Sequence, residues 1–181
     1  TDKIELIIKG GTWSFYPDAY QREFIQRCFD AANDFAPGSR LEAAGKSNGL
    51  EPRASSLEPN GSFRMAEAQQ RNETAQCRII GITIETRPDY VDEAEIRRLR
   101  TLGVTRVELG VQSLDESVLA LIVRDHGTAE VRRATQRLKD AAFKVAYHLM
   151  PNLPGATVES DLESARRLFD DPDYRPDTLK L

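Results

Sequence analysis

The segment Val107-Glu108-Leu109-Gly110-Val111-Gln112-Ser113 fits few folds. Strand side chains alternate with period two, so Val107, Leu109 and Val111 share one face and Glu108, Gly110 and Gln112 the other. One face is hydrocarbon, while the other carries a carboxylate, a gap and an amide. The pattern recurs in Cys77–Glu85, with Ile80, Ile82 and Ile84 opposite Gly81, Thr83 and Glu85, and in Lys144–Met150, with Val145, Tyr147 and Leu149 opposite Ala146 and His148. Three strands of this kind describe a barrel wall whose polar lumen holds a charged ligand.

The rest of the chain alternates strand and helix signals in βα cadence. Lys3–Lys9 reads as a first strand, followed by a tight turn at Gly10-Gly11-Thr12. Pro17 suits the first position of a helix whose apolar residues are Tyr20, Phe24, Cys28, Ala31 and Phe35. Periodicity vanishes over residues 36–62, where Gly, Pro, Ser and Asn supply 14 of 27 residues, the composition of a flexible insertion. Asp92 and Glu95 resemble a capping box, and Gly103 stops the helix they open. Helices are expected over about 115–123 and 129–142. Thr157 caps a last helix with Val158, Leu162, Ala165 and Phe169 inward, and a fifth strand closes the chain. The expected class is α/β: a partial barrel of parallel strands, five of them in this chain, with at least one more upstream.

Bulk properties narrow the function. The 181 residues suffice for one core. A net charge of -4 provides no global attraction for nucleic acid or anionic membranes, so any RNA contact is local. Cys28 and Cys77 form neither a disulfide framework nor a metal motif, and no run is long and apolar enough to span a bilayer. A reduced, cytoplasmic setting without a membrane is expected.

Taken in order, Gly10-Gly11-Thr12, Gly81-Ile82-Thr83-Ile84-Glu85-Thr86-Arg87-Pro88-Asp89, Glu108–Ser113, His148-Leu149-Met150-Pro151-Asn152-Leu153-Pro154-Gly155 and Tyr174–Leu181 resemble the radical S-adenosylmethionine core of the Elongator catalytic-subunit family. The resemblance covers nearly everything outside the insertion. It implies a partial (β/α)6 radical SAM barrel holding S-adenosylmethionine and a 4Fe-4S cluster. The cluster cysteines would lie upstream of Thr1 and an acetyltransferase-like domain beyond Leu181, so residues 1–181 alone would be inactive. The implied reaction places a carboxymethyl-type group on carbon 5 of the tRNA wobble uridine. Reductive cleavage of S-adenosylmethionine gives a deoxyadenosyl radical, which takes hydrogen from the acetyl group of acetyl-CoA. Implied partners are tRNA, acetyl-CoA and either other Elongator subunits or a second copy. Another radical enzyme, related to coproporphyrinogen oxidase, and a non-catalytic binding module are the alternatives.

The same resemblance implies site roles. The Gly10-Gly11-Thr12 turn binds the amino group of S-adenosylmethionine. Glu85 accepts from its ammonium or ribose, Gln112 bonds a ribose hydroxyl and Arg124 takes the methionyl carboxylate. His148 bonds ribose or substrate, and Lys3 contacts acetyl-CoA. Arg124 stands in Arg124-Asp125-His126-Gly127-Thr128, where the family usually reads Arg-Gly-His-Thr. From the residues alone, Glu108 either meets the ligand or pairs with Arg106 or Lys180. Arg97, Arg98, Arg100, Arg132, Arg133 and Arg137 offer local charge to a tRNA backbone. Ala142 stands where a glycine is common, a position that costs about 1 kcal/mol if its backbone is left-handed.

Overall fold

The computed structural model describes residues 2–9, 11–35 and 61–181, and of 61–63 the backbone only. Gly10 and residues 36–60, most of the expected insertion, lie outside the described residues. The strands are β1 (Lys3–Ile8), β2 (Arg78–Thr86), β3 (Arg106–Gln112), β4 (Lys144–Leu149) and β5 (Thr178–Lys180). The helices are α1 (Asp18–Asn33), α2 (Gly61–Thr74), α3 (Glu93–Thr101), α4 (Glu116–Leu121), α5 (Thr128–Asp140) and α6 (Val158–Asp170), with short 3-10 turns at Trp13–Phe15 and Pro88–Tyr90. The strands lie in the order β1-β2-β3-β4-β5, and β2 through β5 pair in parallel. Each crossover sets its strand beside the last, as in a partial (β/α) barrel.

The chain divides into two compact units, Thr1–Ile4 with Asp18–Ile80 and Glu5–Pro17 with Gly81–Leu181. In the first, α1 buries Gln21, Ile25, Phe29 and Ala32. This face is one residue out of phase with the expected stripe, and Tyr20 and Phe35 are exposed. The sequence reading missed α2, and Gly61 and Ser62, assigned to the insertion, begin it. Its buried Met65, Ala68 and Asn72 keep helical spacing, a signal diluted by polar neighbours. Asn72 ties the unit together: its amide nitrogen donates to Asn33 Oδ1 at 2.8 Å and its oxygen accepts from the Ile79 backbone at 2.9 Å. Ile80, expected inward, is 59% exposed.

In the second unit the outward faces of the central strands form the core, with Ile82, Ile84, Val107, Leu109, Val111, Val145 and Tyr147 all buried. The Asp92 side chain caps α3 by accepting from Glu95 N at 2.7 Å. Glu95 does not complete the box: its carboxylate takes a 2.7 Å bond from Ser14 Oγ and pairs with Arg98. Helix α3 ends in a Schellman closure, with Gly103 at φ +79° and Val104 N bonded to Leu99 O at 3.0 Å. The same closure ends α5 at Ala142 (φ 59°) and α4 at Val123 (φ 55°). The left-handed geometry expected for Ala142 is thus present and costs roughly 1–2 kcal/mol. It is harsher for the β-branched Val123.

Helix α6 turns a different face inward from the one expected. Thr157 caps it at 3.1 Å, but Ser164 and Leu168 are buried while Val158, Leu162 and Phe169 are exposed. Arg167 fixes this rotation, donating to Leu114 O at 2.6 Å and to the buried Tyr174 hydroxyl at 3.2 Å. Periodicity identifies an apolar stripe, not what it packs against.

Candidate ligand site on the strand ends

Parallel register places Glu85 beside Glu108, Glu108 beside Ala146 and His148 beside Lys180. Two adjacent carboxylates repel, and the wall offsets this with an imidazole and an ammonium. His148 Nε2 lies 2.7 Å from Glu108 Oε2, and its Nδ1 lies 3.5 Å from Glu85 Oε1. Lys180 Nζ donates to the other Glu108 oxygen. The small Ala146 beside Glu108 leaves room for the imidazole. Burial pushes the Glu108 carboxyl up, but Lys180 and then His148 outweigh it and hold the group below the ordinary carboxylate range. Of the two readings open for Glu108, structural pairing is realised with Lys180, whereas Arg106 lies 3.7 Å from Glu5 instead. Glu85, Glu108 and His148 form one cluster, with Glu85 and His148 on its partly exposed side.

One step toward the strand ends, β3 departs from simple alternation. Leu109 pairs with Tyr147 and Gln112 with Leu149, so β3 carries one extra residue, a bulge. Gln112 is left-handed, at φ 69°. The bulge, not period two, aims its side chain, and Gln112 Oε1 is buried without a hydrogen-bond partner among the described residues. Arg124, directly after the left-handed Val123, donates from Nη2 to Gly110 O at 2.9 Å. Its buried Nε has no partner among the described residues either. A Cβ added at Gly110 would lie 3.1 Å from Gln112 Nε2 and 3.3 Å from Arg124 Nη2. The gap in the strand pattern is therefore where an amide and a guanidinium converge.

Burial, and then the neighbouring Arg87, lowers the basicity of Arg124. Arg87 meets Asp89 in a fork at 2.9 and 2.6 Å and reaches Asp125 at 2.9 Å. It outweighs the burial of Asp89 and lowers that carboxyl. His126 is buried beneath, with Nε2 3.4 Å from Val111 O, and burial and Arg124 hold its pKa below the usual histidine value.

The remaining expected residues are placed as follows. Gly11 has φ +108° with open space where a Cβ would stand, and Thr12 precedes the 3-10 turn without a side-chain cap. That turn is anchored by Ser14, whose hydroxyl meets Thr86 Oγ1 at 2.7 Å, a contact unsignalled in the sequence. Lys3 is exposed at the start of β1, away from the strand ends. The six arginines offered for tRNA are engaged locally. Arg97 pairs with Glu93, Arg98 with Glu95, Arg133 with Glu130, and Arg132 with Asp171 and Asp173. Arg100 and Arg137 bond the carbonyls of Ala141 and Val91. Among the described residues no helix is long and apolar enough to cross a membrane.

The model of the radical SAM superfamily matches residues 54–168 of the chain. The chain belongs to the radical SAM superfamily. Curated relatives of this radical SAM chain include the tRNA uridine(34) acetyltransferase of Methanocaldococcus infernus, 44% identical over 181 residues, which are 100% of this chain and 29% of that protein. Elongator complex protein 3 of Homo sapiens is 36% identical over 180 residues, 99% of this chain and 28% of that protein. The chain thus spans less than a third of either relative. Among solved structures, archaeal Elp3 of Methanocaldococcus infernus with an N-terminal deletion superposes with a TM-score of 0.80 at 43% identity, covering 99% of this chain and 36% of that one.

Proposed function

We propose that this chain is the S-adenosylmethionine-binding barrel of an enzyme that modifies carbon 5 of the tRNA wobble uridine, using acetyl-CoA as acyl source. The observation that supports this most is that Gln112 and Arg124, whose side chains meet over Gly110, each keep a buried polar atom, Gln112 Oε1 and Arg124 Nε, without a partner among the described residues. A buried acceptor without a partner costs about 1–3 kcal/mol, which a bound hydroxyl recovers.

The donor set fits the ligand. Gln112 Oε1 accepts from a ribose hydroxyl, and the planar guanidinium of Arg124 suits a carboxylate. Glu85 offers an acceptor to an ammonium, and Gly11, with a positive φ and open space where a Cβ would stand, leaves its backbone free to meet that ammonium. His148, held by Glu108, keeps Glu85 in place. Gly10 in the turn and Lys3 toward acetyl-CoA complete the assignment. Bound S-adenosylmethionine supplies, with its 4Fe-4S cluster, the radical chemistry that names the superfamily. The chain's two cysteines, Cys28 and Cys77, furnish no cluster ligand set; in this reading the cluster ligands and an acetyltransferase-like domain are supplied by other parts of a longer cytoplasmic protein. Its partners are tRNA and either further Elongator subunits or a second copy.

Mass spectrometry of tRNA from a strain lacking the gene should show wobble uridines without the carbon-5 group, restored when the gene is returned. Unchanged uridines would refute the proposal.

A further inference from the structure

Arg87 stands between two carboxylates beside Arg124. Its fork holds Asp89 at 2.9 and 2.6 Å, its Nη2 also reaches Asp125 Oδ2 at 2.9 Å, and its guanidinium lies 5.4 Å from the centre of the Tyr90 ring. Asp125 is the residue next to Arg124 and its side chain is 73% exposed, so it has freedom to swing. Yet neither Asp89 nor Asp125 bonds Arg124, whose one hydrogen bond among the described residues goes to the Gly110 carbonyl. A half-buried guanidinium that feels two nearby carboxylates, as Arg124 does those of Asp89 and Asp125, gains more from a charge-assisted pair with one of them than from a bond to a neutral carbonyl. Here the acids are already occupied.

We infer that Arg87 is a positioning residue that engages Asp89 and Asp125, keeps both carboxylates off Arg124, and so leaves the Arg124 guanidinium open to the carboxylate of the ligand. This rests on the proposed S-adenosylmethionine site and specifies how its anion subsite is kept empty. It also gives a role to Asp125: an acid adjacent to the anion-binding arginine is tolerated because Arg87 captures it. A purely mechanical strap between the loops after β2 and β3 would use the same bonds, but it responds differently when the acids are removed along with the arginine.

The test is calorimetric binding of S-adenosylmethionine to the full-length protein, without turnover, with folding checked by thermal melting. Arg87→Ala should weaken binding about tenfold, because the two freed acids then compete for Arg124. The triple variant Arg87→Ala/Asp89→Asn/Asp125→Asn should return to within about threefold of wild type, having lost the guard and what it guards against. A triple variant as weak as Arg87→Ala would overturn the inference in favour of a strap. If Arg87→Ala does not fold, Asp125→Asn alone decides: unchanged or tighter binding supports the inference, and weaker binding overturns it. A wild type that does not bind S-adenosylmethionine refutes the underlying site. A wild type that binds, with Arg87→Ala binding equally well, refutes only the role of Arg87.

Discussion

Arg124→Ala should weaken S-adenosylmethionine binding by between about tenfold and about a hundredfold while leaving the fold intact. The estimate follows from removing a charge-assisted pair worth roughly 1.5–3 kcal/mol, at about 1.4 kcal/mol per tenfold. The fold should survive because the side chain holds one protein hydrogen bond, to Gly110 O. Arg124→Lys should remain several-fold weak, since a point charge does not reproduce a planar fork. Methylthioadenosine, which lacks the methionyl carboxylate, should bind wild type and Arg124→Ala nearly equally. Calorimetry with both ligands separates loss of the carboxylate contact from general damage. Equal losses for both ligands would contradict the assignment.

The second large effect is on stability. Lys180→Met should destabilise the fold by about 3 kcal/mol, lowering the melting temperature by roughly 9 °C. Glu108 is 2% exposed, lies beside Glu85 in the sheet, and would be left with the His148 imidazole as its side-chain partner among the described residues. Because Lys180 is itself 35% exposed, the value sits at the low end for breaking a buried pair. The sign with pH follows from the lowered Glu108 pKa. A carboxyl depressed in the folded state contributes stability above its unfolded value of about 4.3 and loses it as pH falls through the folded value. The gap between wild type and Lys180→Met should therefore be full near neutrality and close as pH falls below the unfolded value and through the lower folded one. Thermal melts across that range check it, and a gap independent of pH would show that Lys180 acts through its methylenes instead.

Much of this was legible in the sequence because strand alternation is a short-range property. The opposed faces around Val107, Leu109 and Glu108 and around Tyr147 and His148 follow from period two, and the paired strands confirm them. The same rule puts Gln112 on the face of Glu108 and Gly110, but a bulge and a left-handed backbone aim its side chain, and neither has a sequence mark there. Helix phase was harder. In α1 and α6 the apolar residues keep helical spacing, yet Gln21 and Ser164 are buried while Tyr20 and Phe169 are exposed. Which side turns inward depends on distant anchors such as Arg167 to Leu114 and Tyr174. Long-range polar pairs were the least legible: Ser14 to Glu95 spans 81 positions, and nothing local to either residue announces the other. The bond from Arg87 to Asp125 spans 38 positions and is unannounced for the same reason.

The central claim is that the polar strand ends of β2, β3 and β4 grip an adenosyl amino acid. A crystal structure of the full-length protein with S-adenosylmethionine tests it most directly. The account predicts the methionyl carboxylate on the Arg124 guanidinium, a ribose hydroxyl on Gln112 Oε1 and the ammonium facing Glu85. A ligand seated elsewhere, with the Gln112 amide and Arg124 still turned to Gly110 and touching no part of it, would contradict the account.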